Sequence, residues 1–486
     1  MSTPIAEALP DLLPTFLPQQ RWFGDKARRI ARCEVEDLAP LAGAGDAMVV
    51  VSAVDFTDGA RQRYGLVVAS RPEPGSRPVL GRLGSGGDWL VEATTDPDVA
   101  EALLRGFASD GEIPMARDGR LQYADTTAET RRRLATAVPE ARALGAEQSN
   151  TSLLVGRRFV FKLFRRIDVG ENPEVEVGRF LTSQTTFRAM PALEGSLTYV
   201  SSGGETATVG VLQQWVESVG DGWRHALAGL EAARDGGATL AALTGDIGQL
   251  GAITADFHAA LASSPTASAF APEPLTQDDA DAWLGDLRAR AADAPALLQR
   301  RQGDWPEPTR RLAGDVRTRI SAAWDRLAVP AATGPGGFAK IRIHGDYHLG
   351  QTLKTATGFA IIDFEGEPAI PIVRRRQKQA ALKDVAGMLR SFDYAIETAC
   401  AERPGAADDL RAAAGLRQAF LERYVEAAAG HGARSIPSGA DARERWLAFF
   451  ELGKALYELE YEINNRPGWV HIPLRGLLRT LDGLDR

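Results

Sequence analysis

Cysteine is nearly absent: Cys33 and Cys400 are the only two, far apart and without metal-ligand spacing. A disulfide framework and a cysteine-based zinc site are thereby excluded, and a reducing, cytoplasmic setting is expected. No apolar run approaches the roughly 18 residues of a spanning helix, and Met1 to Pro18 has no basic stretch ahead of an apolar core, so neither membrane span nor signal peptide is expected. Positive charge is in deficit. The 56 Lys and Arg against 64 Asp and Glu leave a net charge of −8, with no general pull on nucleic acid or anionic lipid. There is no heptad array, no short repeat and no G-x-x-x-x-G-K-[ST] phosphate loop. What is present is an ordinary 44% hydrophobic content over 486 residues, enough for two or three folded units.

Residues 1–135 alternate β-like runs (Ala47 to Val51, Tyr64 to Val68) with Gly/Pro-rich turns such as Arg71 to Arg77, flanked by helical stretches Ile5 to Leu17 and Asp98 to Phe107. This predicts a separate small α/β domain, followed by a connector near Thr126 to Glu140. Residues 136–216 read as a β-rich lobe built around a hairpin, Leu153 to Val155 and Phe159 to Phe164. In the same lobe a helix opens at Asn172-Pro173-Glu174, with Pro in the first turn and acid at the positive end. Residues 217–486 are predominantly helical: Ile247 to Leu261, Asp278 to Arg300, Thr309 to Leu327, Leu382 to Ala399, Ala406 to Ala429 and Ala442 to Glu462. The fold class expected is α+β.

One segment interrupts these helices and carries the strongest chemical signal. His344-Gly345-Asp346-Tyr347-His348-Leu349-Gly350-Gln351 follows a strand at Ile341 and Ile343, and Phe359 to Ile362 delivers Asp363. A turn at Thr355 to Gly358 predicts a hairpin that gathers Asp346, Gln351 and Asp363. Asp346 can orient a hydroxyl and take its proton, while Gln351 and Asp363 are hard oxygen ligands of the kind Mg²⁺ prefers. That is kinase chemistry, in which catalysis is mostly positioning and neutralising phosphate charge. His344 and His348 have i, i+4 spacing, but the Gly and the preceding strand argue for loop positioning by imidazole, not a zinc pair. Asp384, in a helix whose Val385, Met388, Leu389 and Phe392 face the core, is placed to brace this loop.

Two further groups bear on ligands. Glu147-Gln148-Ser149-Asn150-Thr151-Ser152 precedes the lobe hairpin with side-chain donors for phosphate oxygens; a plain polar turn is the alternative. Lys162, flanked by Phe161 and Leu163, is costly inside a strand unless paired or bound to an anion. Glu174 and Glu176 are its candidate partners and an α/β-phosphate the candidate anion. Lys454, Tyr457, Glu458, Tyr461, Glu462 and Arg466 recur at three- and four-residue steps, a polar-aromatic helix side suited to a sugar, or else a solvated face laced with ion pairs.

Together these motifs, in order, resemble bacterial maltokinase, of the aminoglycoside-phosphotransferase branch of eukaryotic-type kinase folds. The resemblance takes in Lys162 to Arg166, Asp363 to Pro368 and Asp384 to Phe392. Pro18 to Phe23 and Val91 to Pro97 resemble that family's N-terminal cap domain, and Lys454 to Arg466 its C-terminal segment. The resemblance implies a bilobal protein-kinase-like fold with an added α/β cap. It implies Asp346 as base and Gln351 and Asp363 as Mg²⁺ ligands. For ATP it implies Gln148, Ser149, Asn150, Thr151, Ser152, Lys162 and Glu176, with Gln214 and Val216 offering backbone to adenine. Substrate contacts are expected from His348, Arg390, Asp393, Lys454, Tyr457 and Glu458. The implied reaction is phosphorylation of maltose at its anomeric hydroxyl for α-glucan synthesis, with trehalose synthase as an implied partner. An amino-sugar acceptor, glucosamine or an aminoglycoside, would instead need carboxylates, and Asp393, Glu458 and Glu462 are the candidates. A non-catalytic partner of trehalose synthase is the reading from another class.

Overall fold

The computed structural model describes residues 4–84, 86–145, 149–233, 237–323, 337–401, 407–432 and 434–484. The chain divides into two compact units, the first made of Met1–Gln184, Pro191–Val216 and Ile370–Arg374, the second of the remainder.

In the first unit a six-stranded sheet runs Ile30–Pro40, Met48–Phe56, Arg61–Arg71, Trp89–Glu92, Val79–Arg82, with the short strand Arg166–Ile167 paired to Arg61–Arg71. Helix Pro4–Phe16 lays Ile5, Leu9, Leu13 and Phe16, at three- and four-residue steps, on one sheet face. The alternation of strand Met48–Phe56 then sorts its side chains. Val50 and Val54 meet that helix, while Val49 and Val51 enter the second apolar cluster with Val99, Leu103 and Phe107.

A seven-stranded sheet follows, in the order Glu112–Pro114, Arg120–Ala124, Leu193–Val200, Thr206–Gln214, Phe159–Phe164, Asn150–Val155, Ala141–Leu144. It takes strands from both sides of position 135. The expected hairpin is there, with Lys162 opposite Ser152 on one neighbour and Val211 on the other. Helix Pro173–Gln184 starts where Asn172 Oδ1 accepts the Glu174 N–H at 2.9 Å, with Pro as its first residue. The connector expected at Thr126 to Glu140 holds a helix, Ala128–Thr136, capped by Thr127. It buries only Thr130 and Leu134, so its periodicity is too faint to read.

The second unit is mostly helical, as expected: Gly222–Ala233, Gly237–Leu261, Gln277–Arg301, Glu307–Ala323, Ala381–Ala401, Ala407–Gly430, Ala440–Asn465 and His471–Leu484. A three-stranded sheet, Gly220–Asp221, Thr352–Lys354, Phe359–Ile361, breaks the run. Val385, Met388, Leu389 and Phe392 of helix Ala381–Ala401 are fully buried, as their spacing predicts. Gly237–Leu261 and Ala407–Gly430 approach so closely that a Cβ at Gly251 would overlap the Phe420 carbonyl oxygen. Gly251→Ala is therefore expected to cost about 1–3 kcal/mol by forcing these helices apart. Denaturant unfolding of the variant, with an unchanged m-value, checks it.

Candidate active site

The loop bearing Asp346 is held from below by a buried acid. Asp384, in the first turn of helix Ala381–Ala401, accepts the His344 N–H at 2.7 Å and the Gly345 N–H at 2.9 Å. The ring of His258 lies 3.1 Å from the same carboxylate and is fixed in turn by the Tyr424 hydroxyl at 2.9 Å. Burial pushes the Asp384 carboxyl up, but His258 and the backbone donors more than offset it and hold it below the ordinary aspartate range. Above this, Leu349 N–H donates to Ser391 Oγ (3.0 Å), and the Tyr347 hydroxyl meets Thr254 (2.8 Å). Gly387 lets the helix approach: a Cβ there would sit 2.7 Å from the Tyr347 carbonyl oxygen.

The expected hairpin exists with a different first strand. Ile341 bonds to Gln379 in an isolated bridge, and it is Thr352–Lys354 that pairs with Phe359–Ile361 across the Thr355 to Gly358 turn. A 3₁₀ turn, Leu349–Gln351, swings the chain from the Asp346 loop into that strand, its start capped by His348 Nδ1 accepting from Gly350. The consequence for the side chains is the one foreseen. Gln351 Nε2 donates to Asp363 Oδ2 at 2.8 Å, and the Ile362 N–H bonds to the Gln351 carbonyl. His344 Nε2 donates to the Ile362 carbonyl at 2.9 Å, tying the Asp346 loop to the residue before Asp363. Asp363 has φ +68°, a left-handed conformation that a non-glycine residue adopts at a cost.

Asp346 is partly buried beside Lys454, whose Nζ lies 3.3 Å from Oδ1 and 2.9 Å from Glu367 Oε1. His348 Nε2 is 4.0 Å from Asp346 Oδ2. Burial would raise the Asp346 carboxyl, but Lys454, with His348 and His344, carries it below the ordinary aspartate range. It stays ionised at neutral pH. Gln351 and Asp363 offer the hard oxygens that suit Mg²⁺, which is typically held by one or two carboxylates plus substrate phosphates. Among the described residues no group of three or more His, Cys, Asp and Glu side chains is arranged to hold a metal ion.

Helix Ala440–Asn465 does not present one sugar-facing side. Lys454 and Tyr457 turn toward Asp346 and Glu367, whereas Glu458 and Glu462 turn toward helix Ala381–Ala401. Arg390, 1% exposed, donates Nε and Nη2 to Glu458 Oε2 (2.9 and 2.7 Å) and Nη1 to Asp393 (2.8 Å). Arg417 and Arg479 also bind Asp393, and Glu462 is taken by Arg466 and the Tyr394 hydroxyl. Arg390, Asp393 and Glu458, expected among the substrate contacts, thus form a buried ionic network, and Arg390 and Asp393 have no open side for a sugar. Glu367 was not singled out as a ligand of anything, although it lies four residues beyond Asp363 in the same motif.

In the first unit Gln148 lies outside the described residues and Ser149 is exposed. Asn150, Thr151 and Ser152 belong to strand Asn150–Val155, so that part of the expected loop is sheet. Thr151 Oγ1 accepts from Arg165 Nε at 2.8 Å. Arg165 is buried, reaches Glu92 (3.0 Å) and Thr94 (3.2 Å), and lies 5.2 Å from the centre of the Trp22 ring. Lys162 and Glu176 are buried, and Glu174 accepts from Gln213 at 2.7 Å. The Gln214 N–H is used by Ala192 and the Trp215 N–H by Arg158.

Three comparisons bear on this arrangement. The maltokinase N-terminal cap domain family matches residues 16–96. A glucosamine kinase of Mycolicibacterium smegmatis (strain ATCC 700084 / mc(2)155) is 26% identical over 418 residues, 83% of this chain and 98% of the relative. A glucosamine kinase of Streptacidiphilus jiangxiensis is 26% identical over 343 residues, 70% of this chain and 73% of the relative. Among solved structures, a glucosamine kinase in its crystal form B superposes with a TM-score of 0.70 at 22% identity, covering 98% of this chain and 99% of that one. Another, in complex with glucosamine, ADP and inorganic phosphate, gives 0.64 at 23% identity, covering 92% and 94%. The chain is thus similar to maltokinase in its cap segment and to glucosamine kinases over most of its length. Its fold is the kinase-like fold with an N-terminal cap domain that the motifs imply. No helix among the described residues is long and apolar enough to cross a membrane.

What reading the sequence missed is mostly partnership. His258 comes from a segment with no motif of its own, Glu367 and Gly387 lie inside motifs but were given no role, and Arg390 and Asp393 looked available because most of their partners lie on distant helices. Arg390→Met is expected to lower stability by about 3–5 kcal/mol, since it strands Glu458 and weakens the cage on Asp393. Denaturant unfolding alongside acceptor titration checks it: a stability loss with unchanged acceptor KM at permissive temperature is the expected result.

Proposed function

We propose that this kinase transfers the γ-phosphoryl group of ATP to a sugar hydroxyl, with Asp346 as the base and Gln351 and Asp363 as the Mg²⁺ ligands. The observation that carries the reading is the Gln351–Asp363 contact, tied to the loop that bears Asp346 by the bond from His344 to the Ile362 carbonyl. Asp346 orients the acceptor hydroxyl; the oxygen bonds to the γ-phosphorus, the bond to the bridging oxygen of ADP breaks, and the hydroxyl proton passes to Asp346. When bound at Gln351 and Asp363, Mg²⁺ supplies neutralisation of phosphate charge. Ser149, Asn150, Thr151, Ser152 and Lys162, with Glu176 bracing the lysine, are assigned to the phosphates. Val216, whose N–H has no partner among the described residues, is assigned to adenine, in preference to Gln214.

The acceptor we assign is maltose, at its anomeric hydroxyl, giving maltose 1-phosphate for α-glucan synthesis in the cytoplasm, with trehalose synthase as the supplying partner. The matched cap domain supports this. Glucosamine is the second reading, supported by the names of the two relatives. The division at 135 and 216 into cap, β-rich lobe and helical lobe is kept as a proposal about folding units.

ADP release with ATP and Mg²⁺ across maltose, glucose, glucosamine and kanamycin tests the reading; a chain inert toward every sugar ends it. Asp346→Asn is expected to lower kcat by about 10²- to 10⁴-fold while ATP binding, read by calorimetry, survives. Because Lys454 holds Asp346 below the ordinary range, the base is ionised throughout neutral and mildly acidic conditions. The kcat profile should therefore rise through an acid limb below about pH 4 and stay flat above it as far as Asp346 is concerned.

A further inference from the structure

The charges around Asp346 restrict what an acceptor can carry. Lys454 bridges Asp346 and Glu367 at 3.3 and 2.9 Å. Its Nζ also lies 4.9 Å from the centre of the Tyr457 ring, and the Arg290 guanidinium lies 5.6 Å from the same centre. Lys383, partly buried, feels the charges of Glu367, Lys454 and Arg290. An acceptor bearing an ammonium needs a carboxylate or an aromatic ring to receive it. The ring of Tyr457 already serves two cations. Glu458 is held by Arg390, Asp393 by Arg390, Arg417 and Arg479, and Glu462 by Arg466. Among the described residues, Asp346 and Glu367 share the Lys454 ammonium. Burial alone would pull the Lys454 ammonium down, but Glu367 and Asp346 carry it above the ordinary lysine range, so the charge is permanent.

We propose that Lys454 is a specificity-determining residue, whose ammonium donates to the hydroxyls of a neutral sugar beside Asp346 and repels the ammonium of an amino sugar. The inference rests on the kinase reading of Asp346 and sharpens its choice of acceptor. It works by both means that give specificity, an attraction toward one ligand and a like-charge penalty against the other.

Glucose and glucosamine differ at one ring position, so the ratio of their kcat/KM values reads the effect directly. Wild-type chain, Lys454→Met and Lys454→Arg are assayed with ATP and Mg²⁺ on both sugars and on maltose, with thermal unfolding of each variant as the folding control. The wild type is expected to prefer glucose. In Lys454→Met the glucosamine-to-glucose ratio should rise by at least about tenfold, while Lys454→Arg, which keeps the charge, retains the discrimination. In the wild type the same ratio should climb between about pH 6.5 and 9 as the sugar's amine loses its proton, a climb that Lys454→Met flattens. Glucosamine used by the wild type as well as glucose, or a ratio unmoved in Lys454→Met, overturns the assignment and leaves the kinase reading standing. A wild-type chain that phosphorylates no sugar overturns the kinase reading and the Lys454 assignment with it.

Discussion

A single carboxylate, Asp384, fixes the chemistry of the second unit. It is buried at the start of a helix, where backbone N–H groups and the helix dipole favour an anion. It uses that position to accept two consecutive N–H groups of the loop entering Asp346, with His258 as a third partner. A loop otherwise obliged to leave buried donors unpaired becomes a rigid one. Everything downstream inherits that rigidity: the orientation of Asp346, the tether from His344 to Ile362, and the meeting of Gln351 with Asp363. Asp363 itself adopts a backbone conformation that glycine would take more cheaply.

Charge in this unit is sorted by depth. Arg390, Asp393, Arg417, Glu451 and Glu458 are joined between three helices, a network whose partial loss would expose buried charge. Nearer to Asp346 the same kinds of residue are arranged differently, with one lysine shared by two acids. The first arrangement satisfies every group it contains. The second leaves the Asp346 carboxylate ionised and only partly buried.

Sequence reasoning recovered what depends on local pattern. The periodicity of Val385, Met388, Leu389 and Phe392 gave a buried helix, alternation gave the Lys162 hairpin, and the hairpin expected between Gln351 and Asp363 gave their contact. It failed where partners come from far along the chain. The i, i+4 pattern of Tyr457, Glu458, Tyr461 and Glu462 correctly placed them on a helix but implied one face, whereas tertiary packing turns Tyr457 toward Lys454, gives Glu458 to Arg390 and Glu462 to Tyr394 and Arg466, and leaves Tyr461 exposed. The Glu147 to Ser152 segment looked like a loop because its residues are polar, yet pairing with Phe159–Phe164 draws Asn150, Thr151 and Ser152 into the sheet. The helix Ala128–Thr136 escaped notice because it buries so little.

Arg165 has a consequence for how the N-terminal region should be regarded. It lies three residues beyond Lys162, yet its guanidinium is lodged among Glu92, Thr94 and Trp22, and its carbonyl accepts the Gly65 N–H. Those four residues belong to the segment that matches the cap-domain family. Truncation of that segment would abandon a desolvated cation with nothing to neutralise it, next to the strand that carries Thr151. The cap is thus no detachable accessory; the β-rich lobe is built to be inherited together with it.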